Sequence, residues 1–209
     1  MPKAVNMPRS ISHCSPEAGG RTRARRLFVV IALVLSGIWQ GGTTTADEPA
    51  APTTQVTVRE AAGVYRVAAR FEVAQPVSVA RAVLTDYEQI PRFMPDVKTS
   101  IVRERFPDGV IVEQEAVAHI LMFSKRIHLL LEVHMDDHSV RFRDSSGRSF
   151  EQYEGAWTLV QRDRRTVITY ELTARPCFDV PEFLLTRLLK RDAREMIERL
   201  RTEMDARSR

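Results

Sequence analysis

Two cysteines in 209 residues are too few to staple a fold. Cys14 precedes the apolar run of a segment that reads as an export signal, so removal of that segment leaves Cys177 alone and excludes an internal disulfide in the mature chain. Long apolar runs are also scarce. The longest, Leu27–Trp39, has about 13 residues, short of what a membrane-crossing helix needs. Glycine is sparse, with 9 residues, and no glycine-rich phosphate loop occurs. There is no Ser-His-Asp order and no nucleophile motif. A surplus of one charge is missing too. The formal net charge is +4, but Lys3, Arg9, Arg21, Arg23, Arg25 and Arg26 face only Glu17 within residues 1–46. The rest of the chain keeps 25 of the 31 basic and 26 of the 27 acidic residues, a net of −1, which gives no case for nucleic-acid binding.

What is present divides into three segments. Residues 1–46 have the form of an export signal: the basic cluster Arg21–Arg26, the apolar run Leu27–Trp39, and Thr44-Thr45-Ala46 as a cleavage site. Arg25-Arg26-Leu27-Phe28 resembles a twin-arginine signal with Ala24 where Ser or Thr is usual, and the apolar run suits the general secretory route equally. The expected location is periplasmic or secreted; the alternative is tethering to the membrane by an uncleaved signal. Residues 47–54, rich in Ala, Pro and Thr, read as a linker, and 55–207 as one domain.

Within that domain, Gln55–Glu60 and Val64–Val73 are strand-like around an Ala62-Gly63 turn, and Pro76 starts a short helix ending near Thr85. Pro91 and Pro95 then break the backbone into short pieces. Six strand-like runs follow: 97–105, 110–119, 123–135, 139–144, 149–160 and 165–174, each joined to the next by a short turn. That order predicts an antiparallel meander. From Pro181 to Arg207 the period becomes helical, with Leu185, Leu189, Ala193, Met196, Ile197, Leu200 and Met204 on one stripe and Asp179 as the expected cap. Strands, two short helices, a meander and one long helix make an α+β helix-grip fold, in which a curved antiparallel sheet wraps the C-terminal helix.

Asp86-Tyr87 with Ile90-Pro91 and Pro95, then Gly155-Ala156-Trp157-Thr158-Leu159, then Pro176 before the final helix, occur in that order. Over Tyr65 to about Glu203 the chain resembles the START-like helix-grip superfamily, in its polyketide-cyclase and coenzyme-Q-binding branch. The resemblance implies the same fold and a hydrophobic cavity between sheet and C-terminal helix that takes a lipid, quinone or polyketide.

Strand parity then sorts the candidates. Ile127, Leu129, Leu131, Val133 and Met135 share one face, as do Val110, Val112, Gln114, Ala116 and Ala118, and Tyr153, Gly155, Trp157 and Leu159. With that cavity, the ligand-binding candidates are Phe93, Met94, Gln114, Leu129, Leu131, Val133, Tyr153, Trp157, Phe183, Leu185, Leu189 and Met196. Gln114 is the polar group expected inside. His128 and His134 lie about 20 Å apart along an extended strand at about 3.3 Å per residue, too far for one metal to bridge with Glu132. No metal and no cofactor is expected. At Glu171 and Arg175 a cross-strand surface salt bridge is favoured over a Glu171–Arg175 pair that binds a polar head group, and Arg191–Glu195, Arg194–Glu198 and Glu195–Arg199 are spaced for helical ion pairs. Arg187, Lys190, Arg191 and Arg194 beside Phe178, Val180, Phe183 and Leu184 suit transient contact with an anionic membrane surface.

These readings converge on an exported, monomeric binding protein for a hydrophobic small molecule, a lipid or isoprenoid quinone, held without chemistry. The alternative is a cyclase/aromatase-type enzyme acting in the same cavity, for which the sequence offers few inward acid–base residues. A partner-binding outer sheet face is disfavoured by His128, Glu132, His134, Arg141 and Arg143 on it.

Overall fold

The computed structural model describes residues 54–120 and 123–209, so the expected signal and all but the last residue of the expected linker lie outside the described residues. The reading of Cys14, which falls in the expected signal, likewise lies outside the described residues.

β1 (Gln55–Ala61) and β2 (Val64–Val73) form a hairpin whose turn residues Ala62 and Gly63 have φ of 53° and 77°. Two successive left-handed residues match the right-handed twist of the flanking strands, and glycine meets that demand at the second position without strain. Gly63 N–H donates to Glu60 Oε1 at 2.7 Å. α1 (Val77–Leu84) buries Ala80, Val83 and Leu84, and Pro76 occupies its N-cap. The proline-punctuated stretch breaks as its prolines require, into a 3-10 turn at Tyr87–Gln89 and the single turn α2 (Ile90–Phe93).

β3 (Val97–Phe106), β4 (Gly109–Ile120), β5 (Phe123–Met135), β6 (Ser139–Asp144), β7 (Phe150–Arg162) and β8 (Arg165–Pro176) complete one antiparallel sheet in the order β1-β2-β8-β7-β6-β5-β4-β3. The sheet is curved and does not close, so β1 and β3 are its edges. The meander expected from the turn signals is present strand for strand.

α3 (Glu182–Arg207) has 26 residues and is therefore about 39 Å long. It buries Leu185, Leu188, Ala193, Ile197, Leu200 and Met204. Its N-cap is Pro181, not Asp179: the Pro181 carbonyl accepts from the N–H groups of Leu184 (2.9 Å) and Leu185 (3.0 Å), and no side chain caps the end. The opposite end is pinned by buried polar contacts. Thr166 Oγ1 donates to the Gln75 carbonyl at 2.6 Å, and Gln75 Nε2 donates to Asp205 Oδ1 at 2.5 Å. This is the α+β helix-grip arrangement.

The core is two apolar clusters. One joins β2, β7, β8, α1 and α3 through Phe71, Val83, Leu159, Ile168, Ile197 and Met204. The other joins β4, β5 and β6 through Val112, Ile127, Leu129, Leu131, Val133 and Val140. Phe142, Phe150, Tyr153 and Trp157 pack against both.

Candidate functional site

A cavity of about 400 Å³ lies between the two clusters, bounded by the inner face of the sheet, α3 and the segment from Val83 to Val97. Strand parity places its walls. β4 contributes Gln114 and Ala116, and β5 contributes Ile127, Leu129, Leu131 and Val133. β7 contributes Tyr153 and Trp157, and β8 contributes Tyr170, Leu172 and Ala174. α3 brings Leu189, Ala193, Met196 and Leu200, while Tyr87, Ile90, Phe93 and Met94 roof it.

Ten of the sequence candidates line this space: Phe93, Met94, Gln114, Leu129, Leu131, Val133, Tyr153, Trp157, Leu189 and Met196. Leu185 and Phe183 do not. Leu185 is buried elsewhere along α3, and Phe183 is 73% exposed, because the first turn of the helix runs past the end of the cavity. Of the basic residues on α3, Arg191 turns to Asp192, its Nη2 2.8 Å from Asp192 Oδ1, and reaches Glu195 at 3.6 Å. Glu198 pairs with Arg201 at 2.9 Å and not with Arg194, while Arg199 turns to the cavity rim in place of pairing with Glu195. Arg175 pairs with Glu151 at 3.0 Å, at the β7 irregularity beside its register partner Gln152, a cross-strand surface pair as favoured from the sequence. His128 faces Glu113 at 3.7 Å and His134 faces Asp108 at 3.2 Å, so their partners differ. Among the described residues, no three His, Cys, Asp or Glu side chains stand together as metal ligands.

The polar groups of the cavity fall into two sets. At the rim sit Asp96, Asp192, Glu195 and Arg199. Burial raises the Asp192 carboxyl above its ordinary range; Arg191 counters this, and the Glu195 and Asp96 charges reinforce it. Deep inside are Gln114 and two phenols. Gln114 Nε2 donates to Ser100 Oγ at 3.0 Å, which leaves its carbonyl oxygen available. Tyr153 and Tyr170 both line the cavity and both pack against Phe142. Burial, then the Asp144 charge, pushes the Tyr153 phenol up to about 12, and burial drives Tyr170 well above its ordinary value. Both phenols stay neutral at physiological pH.

Gly155 makes room for this pair. It faces Phe142 on β6 and Leu172 on β8, between Tyr153 and the Trp157–Tyr170 rung. A Cβ at this position would lie 2.2 Å from the Glu171 carbonyl oxygen and 2.7 Å from Phe142 Cζ. Rings therefore close over bare backbone: Trp157–Tyr170 centroids at 4.3 Å, Phe150–Tyr153 at 4.8 Å and Phe142–Tyr153 at 5.9 Å. Tyr170, Phe142 and Phe150 are absent from the sequence candidates. Parity was the available signal for Tyr170, since Glu171 was assigned outward and its neighbours must point in.

A larger cleft, about 840 Å³, lies on the opposite sheet face. Its floor is Ala68 and Ala156 and its walls are Arg59, Arg66, Glu132, Arg141, Arg143 and Glu171, with Arg143 and Glu132 paired at 3.2 Å. An open charged saddle is poorly suited to burying an apolar molecule, so the inner cavity is the candidate site.

A family model described as polyketide cyclase / dehydrase and lipid transport matches residues 73–201. The chain belongs to this family. The matched span runs from the end of β2 to within α3 and so includes nearly every wall of the cavity. No curated protein matches the sequence. Three solved structures show the fold that this polyketide cyclase / lipid transport domain adopts. A START superfamily protein from Mycobacterium smegmatis is 16% identical, with a TM-score of 0.57 over 68% of this chain and 97% of that one. The Zhui aromatase/cyclase from Streptomyces sp. R1128 is 13% identical, with a TM-score of 0.60 over 70% and 96%. A STAR-related lipid transfer protein from Xanthomonas axonopodis is 16% identical, with a TM-score of 0.53 over 73% and 98%.

Proposed function

We propose that this family member is an exported binding protein that sequesters a hydrophobic small molecule, of the lipid or isoprenoid-quinone class, in the inner cavity without chemistry. The cavity carries the proposal. Its walls are almost wholly apolar and aromatic, and its roughly 400 Å³ falls in the size range of small-molecule sites. Apolar ligand surface entering it leaves water at about 25 cal/mol per Å². Access runs past Phe93, Met94 and Pro95 on one side and the Phe178–Phe183 segment on the other. Phe178 stacks edge-on against Phe150 at 6.2 Å.

Binding is favoured over cyclase/aromatase catalysis by where the ionisable groups sit. Proton transfer near neutral pH needs a group poised near that pH beside the reacting atom. The deep polar groups are an amide and two phenols with raised pKa, and the carboxylates stay at the rim. Export and periplasmic residence belong to the same proposal, on the form of residues 1–46, as does a monomeric state. Transient docking on an anionic bilayer is proposed for the start of α3, where exposed Phe183 stands near Arg187, Lys190, Arg191 and Arg194.

The test is native mass spectrometry of the full-length protein recovered from the cell envelope, followed by organic extraction. A lipid or quinone at near-unit stoichiometry is expected. A bare protein mass, together with no uptake of lipid or quinone on titration, would overturn the binding reading.

A further inference from the structure

We infer that the cleft on the outer sheet face is a second, polar site, complementary to a short peptide with both termini free. One end of it carries charges that the protein itself leaves uncompensated. Arg59 and Arg66 stand directly opposite each other on β1 and β2, both exposed and both lining the cleft. Like charges placed so on neighbouring strands destabilise a sheet. Among the described residues neither guanidinium makes an ion pair, and neither does the exposed Glu171 carboxylate on β8. Glu154 on β7 accepts a hydrogen bond from Gln152 Nε2 at 2.7 Å and likewise keeps its charge unpaired. The far end of the cleft differs. There Arg143 meets Glu132 at 3.2 Å, Arg141 meets Asp136 at 3.5 Å and His134 meets Asp108 at 3.2 Å.

This arrangement selects by charge. An anion drawn to the two arginines meets Glu171 and Glu154, and a cation drawn to the glutamates meets the arginines. A molecule carrying both signs satisfies the two groups together. Register sets the spacing. Arg66 faces Thr173 and Ala68 faces Glu171, so Arg66 and Glu171 are diagonal neighbours with Cα atoms about 7–8 Å apart. Glu154 faces Thr173 from β7, two strand spacings or about 10 Å from Arg66. An extended chain advances about 3.3–3.6 Å per residue, so two or three residues carry a carboxylate at the arginines and an ammonium at the glutamates. The floor leaves room for that chain. Glu171 is flanked across both ladders by Ala68 and Ala156, whose methyl groups barely cover the strands, and the Thr57 and Thr173 hydroxyls add hydrogen-bonding groups beside the arginines.

The experiment titrates the full-length, isotope-labelled protein with trialanine, N-acetyl-trialanine and trialanine amide, read by backbone nuclear magnetic resonance. Trialanine should bind in the millimolar range and shift the amide signals of Arg66, Ala68, Ala156 and Thr173, while those of Gln114 and Leu129 in the inner cavity stay still. Blocking either terminus should weaken binding by roughly threefold or more, since each block removes one exposed charge pairing. R59Q/R66Q should no longer distinguish trialanine from its amide, and E154Q/E171Q should no longer distinguish it from the acetylated form. Because R59Q/R66Q relieves a like-charge pair, its thermal midpoint should be no lower than that of wild type, which separates lost recognition from lost fold. Unmoved outer-face signals at tens of millimolar trialanine would overturn the site. So would equal wild-type affinities for the three peptides, or preferences that survive the substitutions. None of these outcomes touches the inner-cavity reading, which rests on other residues.

Discussion

Arg207 Nη1 lies 2.9 Å from Asp86 Oδ2, which ties the last turn of α3 to the residue that opens the roof of the cavity. Arg207 Nε also donates to Glu203 at 2.7 Å, and Arg92 of α2 reaches the same carboxylate at 2.5 Å. Two roof pieces are therefore latched to one end of the helix. A double-mutant cycle of Asp86→Asn and Arg207→Gln should show a coupling of about 0.5–1 kcal/mol in denaturant unfolding. Ligand exchange should be faster in both single variants, and a coupling near zero with unchanged exchange would remove the latch from the account.

Acid should weaken the same latch. Burial pushes the Glu203 carboxyl up, but hydrogen bonds from Arg207 and Arg92 outweigh it and hold the group below its ordinary range. A depressed folded pKa means that the stabilisation is present above the unfolded value of about 4.3 and fades as pH falls through the folded one. Unfolding free energy followed from pH 7 downward should drop over that window, by less in Glu203→Gln than in wild type. Parallel curves for the two proteins would contradict it.

All four tyrosines should resist ionisation in the folded protein. Burial raises Tyr65, takes Tyr87 and Tyr153 to about 12, and lifts Tyr170 well above its ordinary value. For a raised pKa, the stabilisation is complete below the unfolded value of about 10 and disappears as pH climbs toward the folded ones. Tyrosinate absorbance should therefore lag behind that of free tyrosine as pH rises and climb together with loss of the far-ultraviolet signal. A tyrosine fraction titrating at its ordinary value while the fold persists would show that a phenol is solvated.

Gly155→Ala places a methyl group against the Glu171 carbonyl oxygen and the Phe142 ring. Backbone on one side cannot yield cheaply, so a loss of about 1–3 kcal/mol is expected, with weaker ligand uptake as the rings separate. Thermal unfolding and ligand titration read the two effects separately. A variant as stable as wild type would mean that β7 relaxes there freely.

The start of α3 should bind anionic vesicles. At about 1 kcal/mol per basic residue near such a surface, replacing Arg187, Lys190 and Arg191 with Glu should reduce partitioning by more than tenfold. Arg191 already spends its charge on Asp192 and Glu195, so Arg187 and Lys190 should carry most of the loss. Equal sedimentation of wild type and variant with the vesicles would reject membrane docking.

Periodicity and punctuation made the fold readable, because strands such as β2 and β5 have one wet and one dry face. In β2, Tyr65, Val67, Ala69, Phe71 and Val73 are buried while Arg66, Ala68 and Arg70 are not. The same parity located most of the cavity wall. It failed where the answer depends on contacts distant in sequence. Phe183 belongs to an apolar cluster in the sequence yet lies past the end of the site. Asp192 and Arg199 look like members of a solvated helical face until the sheet is brought up against them. Helical ion pairs were the least legible part: Glu198 chose a partner three residues away over one at four, and Arg199 turned to the cavity rim in place of Glu195. Long charged side chains have many partners within reach at nearly equal free energy.

The cavity lies between two apolar clusters that share Phe142, Phe150, Tyr153 and Trp157. Whatever it takes up completes the packing of both halves at once, so cargo and fold are thermodynamically linked. At a hundred times its dissociation constant, a bound molecule would add about 2.7 kcal/mol to the resistance of the whole domain against unfolding. Loaded protein would outlast unloaded protein wherever proteases act on transiently opened chains. Supply of the small molecule would then set the standing amount of its carrier, with no dedicated sensor required.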